Sequence, residues 1–454
     1  MNKVTIYPRL MPHENIIWRP PGDKSISQRA TFLTSLAEGT SRISGLLWSE
    51  DTINNLKSLK QSGVQIKTVG EDVLISGVGK YGYHTGNKSV NLGNSATSSR
   101  IMLALLCGQR GCFRVDGNQV LRRRPMSWIV ESLRDMGAKI EWEGETGYLP
   151  VDVTGALLKG RHHRIRVSSA QAVSALLFAA LLADNPTRIY RKTKARDHTE
   201  RLFNYFGFNL VDTGDYLELT PPNKILALDL SVPGDVSSAA FLVGLVAMQR
   251  NPGLSLTVKD VNLNPTRTGF LDVIRRMGAD IDVLEQGTVC GEPIGKVVIR
   301  SGRKLKGVTI AGDAFVQSMI DEIPIIAAVA ATAEGETVIL DAHELADKDT
   351  DRAFTTIELL RQFGISARSI DGGLIIPPGP FSSPGTVTVP NDHRIAMVAM
   401  IIASCCAQET IIHNWDVVRV SFPGFLDEFN RIGHAVADSE LKLWGPHSLE
   451  EVGV

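Results

Sequence analysis

A short stretch near the N-terminus, residues 21–29, combines a lysine, a serine and an arginine at a predicted helix start. Pro21-Gly22-Asp23 is typical of a tight turn, and the apolar residues that follow repeat at helical spacing. Lys24 and Ser25 would lie at the helix N-terminus, where unpaired N–H groups favour anions, and Arg29 would share a face with Ser25. The stretch predicts a phosphate or carboxylate site, with an ordinary solvated helix start as the alternative that it leaves open.

Similar groups of polar residues recur along the chain. Taken alone, each group could be an ordinary capped or solvated helix start. Asp321 differs, because it lies inside an apolar run, where a carboxylate needs a partner. If the helix N-termini converge, these groups would bind substrates that carry phosphate and carboxylate. The groups are Asn94, Ser95, Ala96 and Thr97; Arg122, Arg123 and Arg124; Ser168, Ser169, Ala170 and Gln171; Lys194, Arg196, Asp197 and His198; Asp321 and Glu322; Lys348, Asp349, Asp351 and Arg352; and Asp392, His393 and Arg394.

Two kinds of predicted helix alternate in the sequence. One is apolar and rich in alanine and opens at a polar turn, whereas the other is amphipathic and ends in a glycine between apolar residues, which fits a left-handed C′ position. The pattern predicts six strand-helix-strand-helix units with further strands, each about 70 residues long. The turns are 21–29, 93–100, 167–171, 232–238, 317–324 and 390–394, and the glycines are Gly63, Gly137, Gly207, Gly278, Gly364 and Gly433.

The repeats predict an α/β protein with two domains, since three units make a domain of ordinary size. Irregular stretches that contain proline, near residues 20 and 233, mark two expected crossings between the domains. Residues 1–20 and 234–454 would then form a discontinuous domain, and residues 21–233 an inserted domain.

Composition excludes several classes of protein. The net charge of −1 over 454 residues argues against a nucleic-acid or membrane-surface binder. The longest apolar run, 395–407, is shorter than the roughly 20 residues of a membrane span, and residues 1–19 lack a signal-peptide pattern. The five cysteines have no metal-ligand spacing. They are expected to be buried, reduced thiols, and the protein is expected to be cytoplasmic.

Eleven stretches in order resemble the enolpyruvyl transferase family, and most closely the branch that acts on shikimate 3-phosphate. The resemblance runs from about residue 12 to about residue 436 and implies two domains of three βαβαββ units, with substrates in the cleft between them. The stretches are PGDKSISQRA (21–30), GNSATSSR (93–100), RRPM (123–126), SSAQAVSA (168–175), ARDHTE (195–200), VPGDVSSAAF (232–241), NPTRTGF (264–270), MIDEIP (319–324), KDTDR (348–352), NDHRIAM (391–397) and SFPGF (421–425).

The resemblance implies transfer of the enolpyruvyl group of phosphoenolpyruvate to the 5-hydroxyl of shikimate 3-phosphate, with release of phosphate. These two small molecules are the implied partners, no metal or organic cofactor is implied, and a monomer is expected. The chemistry needs a proton donor, a proton acceptor and cations that hold phosphate.

The resemblance also implies roles for individual residues. Asp321 is the candidate base at the 5-hydroxyl, Asp349 the candidate proton donor to the methylene, and Lys24 the lysine that touches both substrates. The implied contacts to shikimate 3-phosphate are Ser25, Arg29, Ser169, Ala170, Gln171 and Arg196; those to phosphoenolpyruvate are Asn94, Ala96, Thr97, Arg124, Arg352 and Arg394; and Lys348 and His393 line the same site.

The chain departs from the family at several positions. Asp349 stands where the family usually has glutamate. The shorter side chain could lower the catalytic rate or go with an acceptor other than shikimate 3-phosphate. Ala346 and Gln28 replace a common arginine and a common histidine, and Val420 stands where one branch of the family has a lysine. Ala96 replaces the glycine of inhibitor-sensitive members, and its methyl group would crowd glyphosate more than phosphoenolpyruvate. The chain is therefore expected to be closer to the glyphosate-tolerant branch.

Three alternative functions remain on the sequence alone. A relative that acts on UDP-N-acetylglucosamine usually has a cysteine five residues before the loop arginine, but Gln119 precedes Arg124 here. The second alternative is a paralogue that uses another phosphorylated alcohol, and the third is a non-catalytic binding protein with the same fold. RNA-end cyclases share the repeat type, but their signature is absent from the sequence.

Overall fold

The structure is a computed structural model that describes residues 2–8, 14–84, 89–165, 169–191, 195–432 and 436–437. The side chains of Asp347 and of residues 436–437 are not described. Val167, Ser168, Lys194, Gly433 and His434, which carry predictions from the sequence, lie outside the described residues.

The described residues divide into two units. The first comprises residues 2–21, 233–287 and 293–437, and the second comprises residues 22–232 and 288–292. Residues 288–292 belong to the second unit, whereas the sequence predicted the whole of 234–454 to form one domain with residues 1–20.

Strands recur throughout the described residues. They are β1 Lys3–Ile6, β2 Asn15–Trp18, β3 Glu38–Ser44, β4 Gln65–Val69, β5 Asp72–Val78, β6 Ser89–Asn91, β7 Cys112–Asp116, β8 Lys139–Trp142, β9 Val151–Thr154, β10 His162–Arg164, β11 Thr187–Tyr190, β12 Leu210–Asp212, β13 Tyr216–Leu219, β14 Leu230–Ser231, β15 Ser255–Asn262, β16 Asp280–Val289, β17 Glu292–Arg300, β18 Thr309–Ile310, β19 Thr337–Ile339, β20 Arg368–Ile370, β21 Gly373–Ile376, β22 Thr386–Thr388, β23 Thr410–His413 and β24 Val436–Ala437.

Helices alternate with the strands. They are α1 Lys24–Ser35, α2 Glu50–Gln61, α3 Ala96–Cys107, α4 Ser127–Asp135, α5 Ala170–Ala180, α6 His198–Tyr205, α7 Val236–Met248, α8 Gly269–Arg276, α9 Asp313–Gln317, α10 Ile323–Ala331, α11 Arg352–Gln362, α12 His393–Ser404 and α13 Phe425–Arg431. Short 3₁₀ helices lie at Leu121–Arg123, His343–Asp347 and Trp415–Val420.

The described strands form six four-stranded sheets, three in each unit. In the second unit the orders are β14-β3-β5-β4, β6-β7-β9-β8 and β10-β11-β13-β12, and in the first unit they are β16-β17-β15-β2, β18-β19-β21-β20 and β22-β23-β1-β24. Each sheet contains one parallel pair, such as β6 with β7, and antiparallel neighbours. A parallel pair needs a crossover, and α3, α5, α10 and α12 supply it within four of the repeats. The predicted α/β fold with six repeats is confirmed.

The alanine-rich helices form the centre of each unit's core. In the first unit every residue of α7, α10 and α12 is buried, and these three helices pack on one another. In the second unit α3 packs against α1 and α5. A helix that is apolar on all sides is stable only when it is buried on all sides, which explains this placement.

The glycines that end the amphipathic helices have the predicted conformation. Gly63, Gly137, Gly207, Gly278 and Gly364 have φ between 73° and 99°. That region favours glycine, because other residues are strained there.

The prediction that the cysteines are all buried is wrong for Cys405, which is partly exposed, and for Cys112. Its side chain is exposed at the start of β7. Successive side chains of a strand point to opposite faces, and the next residue, Phe113, occupies the buried face. No helix in the described part of the chain has the length and apolar character that a membrane crossing requires.

Candidate active site

The opening turn of the second unit places Lys24 at the start of α1. Asp23 caps the helix, since its Oδ1 accepts a hydrogen bond from the Ile26 N–H at 3.0 Å. A Cβ at Gly22 would lie 1.9 Å from the Gly45 carbonyl oxygen, so the turn requires glycine there. The Lys24 ammonium lies 3.2 Å from Oδ2 of the buried Asp51, a partner that sequence reasoning missed.

Arg29 connects three helices of the second unit. Its Nη1 donates to the Ser25 carbonyl at 2.9 Å, its Nε donates to Thr199 Oγ1 at 2.7 Å, and its Nη2 donates to Ser174 Oγ at 2.8 Å. The Ser174 hydroxyl lies in turn 2.7 Å from the Ala170 carbonyl oxygen, to which it donates. The structure therefore links Arg29 directly to the Ser25 carbonyl and, through the Ser174 hydroxyl, to Ala170.

The turn before α3 is tied to α1. The buried Gln28 donates from Nε2 to Ser95 Oγ at 2.7 Å, and Ser95 caps α3. Ala96 and Thr97 form the first turn of that helix, and the Ala96 methyl group is buried. Oδ1 of the preceding Asn94 is buried without a hydrogen-bond partner among the described residues, and such an atom is a candidate for contact with a ligand.

Arg124 follows the 3₁₀ helix at Leu121–Arg123 and lies near a second arginine, Arg100. Arg100 donates from Nη2 to the Pro125 carbonyl at 3.1 Å and lies over the Trp128 ring at 4.9 Å. Burial, and then the charge of Arg124, lower the pKa of Arg100 to about 9. Sequence reasoning missed Arg100, although a lone arginine in the apolar sequence of α3 was a usable signal.

The remaining predicted residues of the second unit lie at two helix starts. Ser169 precedes α5, Gln171 is in its first turn, and Arg196 precedes α6. Oε1 of Gln171 is buried without a hydrogen-bond partner among the described residues. Burial raises the pKa of the neighbouring Glu200 to about 7, and its Oε1 lies 3.3 Å from Arg191 Nη1.

Asp321 is surrounded by cations in the first unit. It lies just before α10, and its Oδ1 is 3.0 Å from Arg352 Nη1 and 3.9 Å from Lys348 Nζ. Its Oδ2 is 3.5 Å from Arg394 Nη2. The predicted cations from two separate motifs, KDTDR (348–352) and NDHRIAM (391–397), thus meet at the carboxylate of a third. Lys348 also donates to Glu344 Oε1 at 3.0 Å.

The buried Arg352 guanidinium is shared among three carboxylates. Besides Asp321, its Nε donates to Asp392 Oδ2 at 2.9 Å, and its Nη2 lies 3.5 Å from Asp349 Oδ2. Burial opposes the charged form, but the three carboxylates outweigh it and raise the pKa of Arg352. Arginine is suited to this place because its planar group offers several donors at fixed angles.

Asp349 contacts His393 as well as Arg352. His393 Nδ1 lies 3.2 Å from Asp349 Oδ2, and the histidine is the first residue of α12. Ligand atoms of Asp349, Asp392 and His393 lie within 4.8 Å of one another, which is metal-like spacing. Both carboxylates already pair with Arg352, so the cluster is organised around a guanidinium.

Two three-sheet units, with lysines, arginines and carboxylates at their helix starts, define the enolpyruvyl transferase class of fold and site. The sequence model described as "EPSP synthase (3-phosphoshikimate 1-carboxyvinyltransferase)" matches residues 14–429. The chain belongs to this family.

Similar proteins come from several bacteria. The 3-phosphoshikimate 1-carboxyvinyltransferase of Oceanobacillus iheyensis is 40% identical over 413 residues, which are 91% of this chain and 95% of that protein. The protein of the same name from Brevibacillus brevis is 38% identical over 90% of this chain and 95% of its own length.

Among solved structures, EPSP synthase from Acinetobacter baumannii aligns with a TM-score of 0.86 at 34% identity, covering 96% of this chain and all of that one. The enolpyruvyl transferase NikO from Streptomyces tendae aligns with a TM-score of 0.75 at 16% identity, covering 96% of this chain and 98% of its own. The second likeness concerns the fold alone.

Proposed function

We propose that this protein transfers the enolpyruvyl group of phosphoenolpyruvate to the 5-hydroxyl of shikimate 3-phosphate and releases inorganic phosphate. The observation that carries the proposal is Asp321, a carboxylate held by Lys348, Arg352 and Arg394 in a chain of this family. Such a group can take a proton from a hydroxyl while the cations beside it bind the anionic substrates.

The reaction proceeds by addition and elimination. The 5-hydroxyl oxygen attacks C2 of phosphoenolpyruvate and passes its proton to Asp321, while a proton is added to the methylene carbon. The tetrahedral intermediate then loses phosphate by cleavage of the C–O bond and loses a proton from the new methyl group, which restores the double bond. We assign the proton transfer at the methylene to Asp349, whose Oδ2 is held at 3.2 Å by His393 Nδ1.

Cations of the first unit hold phosphoenolpyruvate. We assign Arg352 and Arg394 to its charged groups, and we place Lys348 and His393 along the same site. Their charges stabilise the intermediate without reorganisation, because neighbouring carboxylates already fix both guanidinium groups.

Residues of the second unit hold shikimate 3-phosphate and the phosphate of phosphoenolpyruvate. We assign Ser25 and Arg29 to the shikimate carboxylate, Lys24 to both substrates, and Arg124 to the phosphate of phosphoenolpyruvate. Helix N-termini and cations together favour such anions. The further proposed contacts are Asn94, Ala96 and Thr97 with phosphoenolpyruvate, and Ser169, Ala170, Gln171 and Arg196 with shikimate 3-phosphate.

We further propose that residues 1–20 with 234–454, apart from 288–292, form one domain of the family, and that residues 21–233 with 288–292 form the other. The protein would act as a monomer in the cytoplasm, with no nucleic-acid or membrane partner. Sedimentation velocity at micromolar concentration tests the monomer, and a dimer would contradict it.

Phosphate release from phosphoenolpyruvate, with and without shikimate 3-phosphate, tests the function. We expect release only with this acceptor, and loss of release in Asp321→Asn. Turnover with a different phosphorylated alcohol and none with shikimate 3-phosphate would favour the paralogue. Binding of both substrates without release would favour a non-catalytic relative.

A further inference from the structure

Two consecutive carboxylates hold Arg394. Its Nη2 lies 3.5 Å from Asp321 Oδ2, and its Nη1 lies 3.6 Å from Oε1 of Glu322, the residue that precedes α10. Glu322 is only 1% exposed and Arg394 is 8% exposed. The guanidinium is therefore held through both of its terminal nitrogens within a buried environment.

Glu322 is itself held by the start of α7. The Ser237 hydroxyl donates a hydrogen bond to Glu322 Oε1, and Arg267 Nη2 donates to Ser237 Oγ at 2.6 Å. The same Arg267 nitrogen lies 3.4 Å from Oδ1 of Asp235, which caps α7. A buried chain of four side chains thus leads from the cap of α7 to Arg394.

The fold alone gives a poor reason for a glutamate at this place. Oε2 of Glu322 is buried without a hydrogen-bond partner among the described residues. A buried carboxylate oxygen in that state costs stability, and an apolar side chain of similar volume would avoid the cost. Such a cost is commonly found where a group serves a functional site.

The contacts of Asp321 indicate what function Glu322 has at the site. Asp321 already lies within 4 Å of Arg352 and Lys348, so it is a shared partner for Arg394. A second carboxylate on Nη1 fixes the plane of the guanidinium, which one shared carboxylate does not. A fixed plane matters because bidentate contact with an anion depends on orientation.

We propose that Glu322 is a positioning residue for phosphoenolpyruvate, acting through Arg394, and that Ser237, Arg267 and Asp235 hold Glu322 in place. The inference rests on the proposed function. It concerns a residue that does not touch the reacting atoms and acts only through its arginine neighbour.

Glu322→Gln tests the inference, because it keeps the shape and the acceptor for Ser237 but removes the charge. We expect the KM for phosphoenolpyruvate to rise about tenfold, as follows from losing the preorganisation of one long side chain. The kcat should stay within about threefold, and the KM for shikimate 3-phosphate should not change. The matched control is Glu334→Gln, beyond the C-terminal end of α10, where the carboxylate is exposed and pairs with Lys304 at 3.6 Å.

Ser237→Ala is the second variant, and it decides the question if Glu322→Gln does not fold. It leaves both charges in place and releases Glu322, so a smaller rise in the same KM, about threefold, is expected. An unchanged KM for phosphoenolpyruvate in either folded variant overturns the inference.

A double-mutant cycle with Arg394→Lys separates positioning from a general structural role. If Glu322 acts through Arg394, Glu322→Gln should raise the KM for phosphoenolpyruvate no further in the Arg394→Lys background. Equal effects in both backgrounds would contradict the inference. If the wild type turns over both substrates and Glu322→Gln has an unchanged KM for phosphoenolpyruvate, only the inference about Glu322 is refuted. If the wild type is inactive, the proposed function itself is refuted.

Discussion

Replacement of Arg352 by lysine should destabilise the first unit strongly. The guanidinium contacts Asp392 at 2.9 Å, Asp321 at 3.0 Å and Asp349 at 3.5 Å, and it is almost fully buried. A lysine ammonium is one point charge and cannot reach three carboxylates in the same geometry.

The magnitude follows from the carboxylate that would be left behind. Asp392 is fully buried, and its cation is Arg352, at 2.9 Å. The Asp392 carboxylate also caps α12 and accepts a hydrogen bond from Thr350 Oγ1 at 3.2 Å. A lysine ammonium that pairs with Asp321 or Asp349 leaves Asp392 without its cation, and removing the partner of a buried charge costs about 3–5 kcal/mol. For a unit of this size, that corresponds to a fall in the melting temperature of roughly 6–20 °C.

Scanning calorimetry of Arg352→Lys measures the effect. The matched control is Arg361→Lys on the same helix, α11, because Arg361 is half exposed and pairs with Glu358 at 2.9 Å. We expect the control to change the free energy of unfolding by less than about 1 kcal/mol. If Arg352→Lys stays within 1 kcal/mol of the control, the view of Arg352 as the electrostatic centre of the first unit is refuted.

Three further predictions concern activity, inhibition and pH. Asp349→Asn should lower kcat at least about a hundredfold with little change in either KM, because the variant lacks the proton donor. An unchanged kcat in steady-state kinetics would exclude Asp349 as the proton donor. Ala96→Gly should lower the half-inhibitory concentration of glyphosate about tenfold or more. Half-inhibition of the wild type at low micromolar glyphosate, with phosphoenolpyruvate near its KM, would contradict the expected tolerance. Because the pKa of Glu200 is raised from 4.5 to about 7, the folded protein keeps this proton while the unfolded chain has lost it, so stability falls as the pH rises through that window. Glu200→Gln should therefore gain up to about 3 kcal/mol relative to wild type between pH 5 and pH 8 in urea unfolding, and a pH-independent difference would show that Glu200 ionises normally.

The repeat architecture was predictable because it depends on local signals. Continuous apolar, alanine-rich sequence predicts the buried helices. The five described glycines that end amphipathic helices adopt the left-handed conformation that this position favours. Among the other predicted site residues, Lys348, Arg352 and Arg394 contact Asp321 directly. Asp349 joins this group through Arg352, and His393 joins it through Asp349.

The pairings between distant side chains were not predictable. Asp51 pairs with Lys24 across 27 positions, and Thr199 binds Arg29 across 170 positions. Such contacts depend on how helices pack in three dimensions, and no local periodicity records them. Arg100 was missed although a lone arginine in an apolar helix is a local signal; only its contacts with Pro125 and Trp128 depend on packing.

The most direct measurement of the central claim uses phosphoenolpyruvate labelled with ¹⁸O at the bridging oxygen, together with shikimate 3-phosphate. Cleavage of the C–O bond predicts that the released phosphate carries the label and that the acceptor gains an enolpyruvyl ether detectable by mass spectrometry. Unlabelled phosphate accompanied by labelled pyruvate would indicate P–O cleavage, and it would contradict enolpyruvyl transfer by this protein.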